Sequence, residues 1–250
     1  MGRTRARGRP SSIGAYNVRC QLKVPQVTTD RPIRADPRTP LWRERVLRAG
    51  LAHADASGLE TFTMRGLAES LGVAPMSLYR HVANKDDLVD GIVDLVFAEI
   101  ALPSGEGDWS SAMRGRAIAV RQALLRHPWA IGLMSSRRRP GPATLRHYDA
   151  VIGRLRQAGF TLAMAAHAYS LMDSYIYGFA LQQSTLPSDP SMEMHELAAV
   201  MAEQFPADEY PWLAEFTLQH VTRPGYAFGD EFEYGLDVIL GGLEAAQGSA

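Results

Sequence analysis

Between Thr63 and Lys85 the chain reads Thr-Met-Arg-Gly-Leu-Ala-Glu-Ser-Leu-Gly-Val-Ala-Pro-Met-Ser-Leu-Tyr-Arg-His-Val-Ala-Asn-Lys, and this run constrains the fold more than any other. Thr63 is a helix cap, and Leu67, Ala68 and Leu71 repeat at the three-to-four spacing of a buried helical stripe. Gly72 then supplies a residue that takes positive φ without strain, where a chain must turn sharply. Pro75 suits the first position of a new helix. Leu78 and Val82 are four apart and face the core, while Met76, Tyr79 and Arg80 fall on the opposite side. The pattern predicts two short helices, 64–71 and about 75–81, joined by a tight turn at Gly72 and Val73: a helix-turn-helix.

That motif lays its first helix across phosphates and sends its second into the major groove of duplex DNA, amino end forward. Pro75, Met76 and Ser77 form the leading turn, nearest the base edges. Tyr79, His81 and Lys85 are placed to meet phosphates. Thr63 exposes a helix amino end that suits an anion, and Arg65 in the first turn could reach guanine or phosphate. Taken singly, each of these side chains also reads as an ordinary solvated or surface-packed residue; the grouping on one face carries the argument.

Charge points the same way. Residues 1–45 hold eleven Arg and Lys against three acids, a balance of +8, whereas residues 101–250 hold eleven against sixteen, a balance of −5. A basic end on an acidic body suggests a polyanion partner, although basic tails also serve only to solubilise. Residues 1–38 mix Arg, Pro, Thr, Ser and Gly without a sustained period and read as a disordered basic extension. Its arginines either enter a minor groove as a flexible arm or have no fixed role.

The remainder reads as helix throughout, so the fold class is all-α. Thr39 followed by Pro40 predicts a first helix, 40–57, with Val46, Leu47, Gly50, Leu51 and Ala54 inward. Asn84 caps a helix over about 85–101. A break at Pro103, Ser104 and Gly105 precedes helices at about 109–126, 129–135, 142–158 and 162–184. After a loop at 187–190 come 192–204, 209–220 and 228–246. The expected organisation is the extension 1–38, a three-helix head 39–85, and a body 86–250 that begins with a linking helix, 86–101. No apolar run reaches the span a membrane helix needs. Cys20 is the one cysteine, so no internal disulfide can form; a cytoplasmic location is expected.

Residues 62–92, FTMRGLAESLGVAPMSLYRHVANKDDLVDGI, resemble the head of the TetR family of bacterial repressors. Leu78-Tyr79-Arg80-His81-Val82 followed by Asn84-Lys85 and Leu88 is the most specific part. HPWAIGLMSSRRRPGPATLRHYDAVIGRLRQAGF (127–160), AHAYSLMDSYIYGFALQQ (166–183) and FEYGLDVILGGLEA (232–245) are similar to the C-terminal domain of its tetracycline-repressor subgroup. The resemblance implies that Thr63, Arg65, Pro75, Met76, Ser77, Tyr79, Arg80, His81 and Lys85 are the DNA-contacting positions. It implies a two-fold homodimer on a palindromic operator, released by a small-molecule effector, with no cofactor required. The apolar helices 162–184 and 228–246 must be covered, and in the family they form the dimer interface.

The body is rich in adaptable side chains, and His127, Met134, His147, Tyr148, Met164, His167, Met172, Asp173 and Tyr175 are the candidate pocket residues. Core packing explains many of them equally well. The chief rival reading is an all-α enzyme or metal-binding bundle, but the chain lacks Glu-x-x-His pairs, His-Glu-x-x-His, a Walker loop and a nucleophile elbow. The other rival is a head that docks a protein instead of DNA.

Overall fold

The computed structural model describes residues 42–103, 108–186 and 206–248. The extension 1–38, the helix start at Thr39 and Pro40, the loop 187–190 and the helix expected over 192–204 lie outside the described residues. Ten α-helices are described: α1 Arg43–Ser57, α2 Met64–Leu71, α3 Pro75–Leu78, α4 Lys85–Glu99, α5 Trp109–Arg126, α6 Ile131–Met134, α7 Pro142–Gln157, α8 Leu162–Thr185, α9 Pro211–Phe216 and α10 Glu231–Gln247. There is no strand among the described residues.

Two apolar cores organise them. The head core joins Val46, Leu47 and Ala54 of α1 to Leu67, Ala68 and Leu71 of α2, then to Leu78 and Val82. Leu67 and Leu78 are fully buried, so truncating either to Ala costs about 2–5 kcal/mol. The body core runs through α5, α7, α8 and α10. Helix α4 belongs to both. Leu88 and Ile92 complete the head core, and Val89, Val93, Val96 and Phe97 enter the body core. These two sets are periodic stripes on different sides of one helix, so α4 cannot move without disturbing both packing surfaces.

Helix α1 crosses α4 closely because two glycines permit it. A Cβ on Gly50 would stand 3.3 Å from both Leu88 and Ile92, and one on Gly91 would stand 2.5 Å from Leu47. On its polar side α4 carries Asp86, Asp90 and Asp94, spaced by four. Asp94 caps α7: its carboxylate accepts the Thr144 N–H at 2.8 Å, the Thr144 hydroxyl at 2.9 Å and the Ala143 N–H at 3.3 Å. Gly141 leaves the space for that carboxylate, since a Cβ there would overlap it. Asp90 takes the Arg137 guanidinium from the α6–α7 loop. A third tie joins head to body: Asp55 of α1 receives the Trp129 indole N–H at 2.7 Å and lies 2.6 Å from His127 Nδ1, while His127 Nε2 lies 3.2 Å from Glu99 of α4.

Three predicted helices are shorter than expected. The helix expected over 75–81 is regular only over Pro75–Leu78, and His81 and Val82 then both donate to the Leu78 carbonyl as the chain turns. The 129–135 helix is a 3-10 turn, Pro128–Ala130, followed by one turn of α6. The 209–220 helix begins at Pro211, which fits a first helical position, and widens into a π-type turn over Thr217–Val221.

Candidate nucleic-acid interface and body cavity

The head exposes one face. Thr63 caps α2 by accepting the Gly66 N–H at 3.0 Å, and Gly72 ends it at φ 68°, ψ 32°. The turn delivers α3 with Leu78 inward and Met76 outward, 73% exposed, beside exposed Pro75 and half-buried Ser77. Tyr79 and Arg80 are exposed and His81 half-buried; Arg43 of α1 fixes this segment by donating to the His81 carbonyl at 2.8 Å. Arg65 stands exposed on α2, held loosely by Glu69 at 3.0 Å, a pairing worth only a few tenths of a kcal/mol and readily exchanged for another anion. Lys85 differs from expectation in one respect. Its ammonium donates to the Phe62 carbonyl at 2.7 Å and sits 5.6 Å from the Phe62 ring centroid, so it ties α4 to the loop before α2.

Within the body, a cavity of about 580 Å³ is lined by Ser135, Tyr148, Ile152, Tyr169, Ser170, Asp173, Ser174 and Tyr177. Tyr169, Asp173 and Tyr177 recur every four residues on α8, with Ser170 and Ser174 beside them. The Tyr148 hydroxyl donates to the Met134 carbonyl at 3.2 Å. Burial, and then the Asp173 carboxylate, pushes the Tyr148, Tyr169 and Tyr177 hydroxyls above the ordinary phenol range, so they remain protonated donors.

Behind this wall lies a buried ionic group. Arg116 of α5 is 1% exposed, pairs with Asp173, and donates from Nε to His147 Nε2 at 3.1 Å. Accepting at Nε2 places the His147 proton on Nδ1. Burial, and then the Arg116 charge, lowers the His147 pKa to about 4, which keeps the ring neutral. His147 Nδ1 and Arg116 Nη1 are buried without a hydrogen-bond partner. Such unpaired donors are costly to bury. The group joins α5, α7 and α8 by charge as well as by packing.

Of the nine pocket candidates, Tyr148 and Asp173 line the cavity, with His147 and Met134 directly behind. Met172 is body core and Met164 packs against it. His127 sits at the head–body junction. His167 is exposed on α8, and Tyr175 donates to the Phe232 carbonyl at 3.0 Å, stacked on Phe232 of α10. The pocket candidates did not include Ser135, Ile152, Tyr169, Ser170, Ser174 and Tyr177, which also line the cavity. For those on α8 the signal was a polar stripe obscured by the helix's apolar average; Ser135 and Ile152 come from the end of α6 and from α7 and carried no such signal.

Each of α8 and α10 also exposes large apolar side chains among the described residues: Leu171 and Leu181 on one helix, Tyr234 and Val238 on the other, are all at least 46% exposed. No helix among the described residues is long and apolar enough to cross a membrane.

Residues 46–92 match the family model for bacterial regulatory proteins of the tetR family, and residues 103–247 match that for the tetracyclin repressor-like C-terminal domain. The HTH-type transcriptional repressor DrrR1 of Streptomyces coeruleorubidus is 31% identical, over 97% of this chain and 92% of its own. The class C tetracycline repressor protein of Escherichia coli is 30% identical, over 82% and 91%. Among solved structures, the Streptomyces coelicolor TetR family protein ActR in complex with actinorhodin superposes with a TM-score of 0.70 at 27% identity, covering 84% of this chain and 100% of that one. Head, linking helix and body thus recur together in proteins that regulate transcription, and the chain belongs to the tetR family of bacterial regulatory proteins, with the tetracycline-repressor-like C-terminal domain.

Proposed function

We propose that the chain is a repressor that binds a palindromic operator as a homodimer and lets go when a small molecule fills the body cavity. Family membership makes it a ligand-responsive DNA-binding regulator and not an enzyme. The observation that carries the reading is the head: a capped α2, a left-handed glycine turn, and an α3 whose outward side is Met76, Tyr79 and Arg80 while Leu78 is buried.

In this reading residues 39–85 are the DNA-binding domain, and residues 86–250 are the sensing and dimerising domain, entered through the linking helix. Residues 1–38 are an extension outside the head. Arg65, Ser77 and Arg80 read bases by hydrogen bonds. Pro75 and Met76 offer apolar contact to thymine methyls. Thr63, Tyr79, His81 and Lys85 hold the backbone. The exposed apolar side chains of α8 and α10 pair across the two-fold axis, which sets the half-site spacing. A DNA-reading regulator of this kind works in the cytoplasm.

The effector is an aromatic molecule with several hydrogen-bonding oxygens. Three tyrosine hydroxyls, three serines and one carboxylate around a cavity of about 580 Å³ suit such a ligand, and the relatives named above include a protein solved with actinorhodin and a repressor named for tetracycline. Binding shifts the body toward a state in which α4 tilts, and operator affinity falls by the ligand's differential affinity for the two states. The test is fluorescence anisotropy with labelled DNA from upstream of the protein's own gene, then titration with oxygenated aromatic compounds. Release by a compound that fails to release Asp173→Asn or Tyr169→Phe supports the reading. Release that is equal in the parent and both variants removes the cavity from it.

A further inference from the structure

A second polar cleft, of about 620 Å³, separates the turn after α3 from the α6–α7 loop. Ala83 and Asn84 line one side, and Arg137, Arg138 and Arg139 the other. Three acids share the cleft, and two arginines, Arg43 and Arg137, answer most of their charge. Asp87 takes both guanidinium nitrogens of Arg43, at 2.8 and 3.1 Å, and accepts the Ala83 N–H at 2.8 Å. The hydrogen bond from Arg43 holds the Asp87 carboxyl below its usual range, with a smaller contribution from the charge of Arg139. Asp90 takes Arg137, which also approaches Asp86 at 3.9 Å.

Arg138 and Arg139 add two more cations, so that with Arg43 and Arg137 four arginines stand against the three acids and the balance is positive. Both are exposed, and neither makes a hydrogen bond or ion pair among the described residues. They line the same cleft as Ala83 and Asn84, which lie just past His81 and the buried Val82, so the body loop stands beside the turn that ends the reading segment of the head. Arg137 pins that loop to α4, and Arg43 pins the turn to α1, which keeps the two sides in register.

We propose that Arg138 and Arg139 bind phosphates of the operator flank, so that the body as well as the head touches DNA. The proposal rests on the DNA-binding reading above and adds a site outside the helix-turn-helix. Phosphodiester oxygens fit because arginine forks take them bidentately, and because the strand beside an inserted recognition helix is held from adjacent elements. An effector-driven shift between α4 and the α6–α7 loop would then break contacts at the same time as it moves the recognition helices.

The experiment is the salt dependence of operator binding by the full-length dimer, comparing the parent, Arg138→Ala/Arg139→Ala and Arg138→Lys/Arg139→Lys. Each phosphate contact contributes about 0.9 to the slope of log K against log salt, and a dimer carries four of these arginines. The alanine pair should lower the slope by about 2–4, leave the preferred base sequence unchanged, and keep the parent's melting temperature and dimer mass. The lysine pair should keep the slope within about 1 of the parent, since charge without the fork still releases counterions. An alanine-pair slope equal to the parent's overturns the proposal, including when effector release alone is altered, which would make the cleft a site for a small anion. A parent that shows no salt-dependent DNA binding would overturn the underlying reading as well, a distinct result.

Discussion

The contact between Asp94 and the amino end of α7 gives the sharpest structural test, because it joins the linking helix to the body through one carboxylate. Asp94→Ala removes a helix cap, a loss of about 0.5–2 kcal/mol. It also strands the Thr144 N–H and hydroxyl on a residue only 4% exposed, which adds about 1 kcal/mol. A total near 2–3 kcal/mol is expected. Asp94→Asn retains an acceptor and loses the charge that favours a helix amino end, for about 1 kcal/mol. Gly141→Ala should cost about 2 kcal/mol by a different route, because its Cβ would occupy the space of the carboxylate. Since both changes delete one contact, the double variant should cost about 3 kcal/mol or less, well short of the sum. Urea unfolding at fixed dimer concentration measures all four. Strict additivity, or an Asp94→Ala cost below about 0.5 kcal/mol, would refute the capping argument.

Three further expectations concern the buried ionic group and the reading face. His147 has a folded pKa of about 4 against 6.5 in an unfolded chain. Its contribution to stability is therefore complete above pH 6.5 and is lost as the pH falls toward 4; His147→Gln should flatten the stability of the protein between pH 6.5 and 4.5 in urea melts, and an unchanged profile would show that the ring is not held neutral. Arg116→Met leaves Asp173 without its buried partner and should destabilise by about 3–5 kcal/mol, checked by the same melts; a loss under about 1 kcal/mol would mean the pair is solvated. Arg80→Ala should relax base preference at one position per half-site by about 1–3 kcal/mol, measured by competition with single-base operator variants; a uniform loss across all sequences would make Arg80 a backbone contact instead.

The head was the most legible part of the chain because its signals are local. Gly72 at φ 68° is where the pattern required a left-handed turn, and the four-residue spacing of Leu78 and Val82 fixed the inward side of α3. What was not legible depends on partners far along the chain. Nothing near Lys85 announces the carbonyl of Phe62 as its partner, and nothing near Asp94 announces α7. The shortening of the second helix at Leu78 is also a long-range effect, since Arg43 of α1 holds the His81 carbonyl outside the helix. In the body, the aromatic and Met composition of 127–175 flagged the region but not the sides on which residues fall. Asp173 faces the cavity and Tyr175, two residues on, faces α10, which is what a 100° step per residue produces. The stripe Tyr169, Asp173, Tyr177 is visible once that step is applied to α8. The split role of α4 needed both cores at once: a helix over 85–101 is legible from its cap and apolar spacing, but not that Leu88 and Ile92 close the head while Val96 belongs to the body.

The central claim is that the exposed face of α3 reads DNA as a two-fold pair. Its most direct measurement is selection of bound sequences from a random duplex pool by the purified full-length dimer at near-physiological salt. The expected product is an inverted repeat of two half-sites, protected by one dimer, whose preference weakens in Arg80→Ala. Failure to enrich any sequence, or enrichment of single unpaired sites that the Arg80 variant binds equally well, would contradict it.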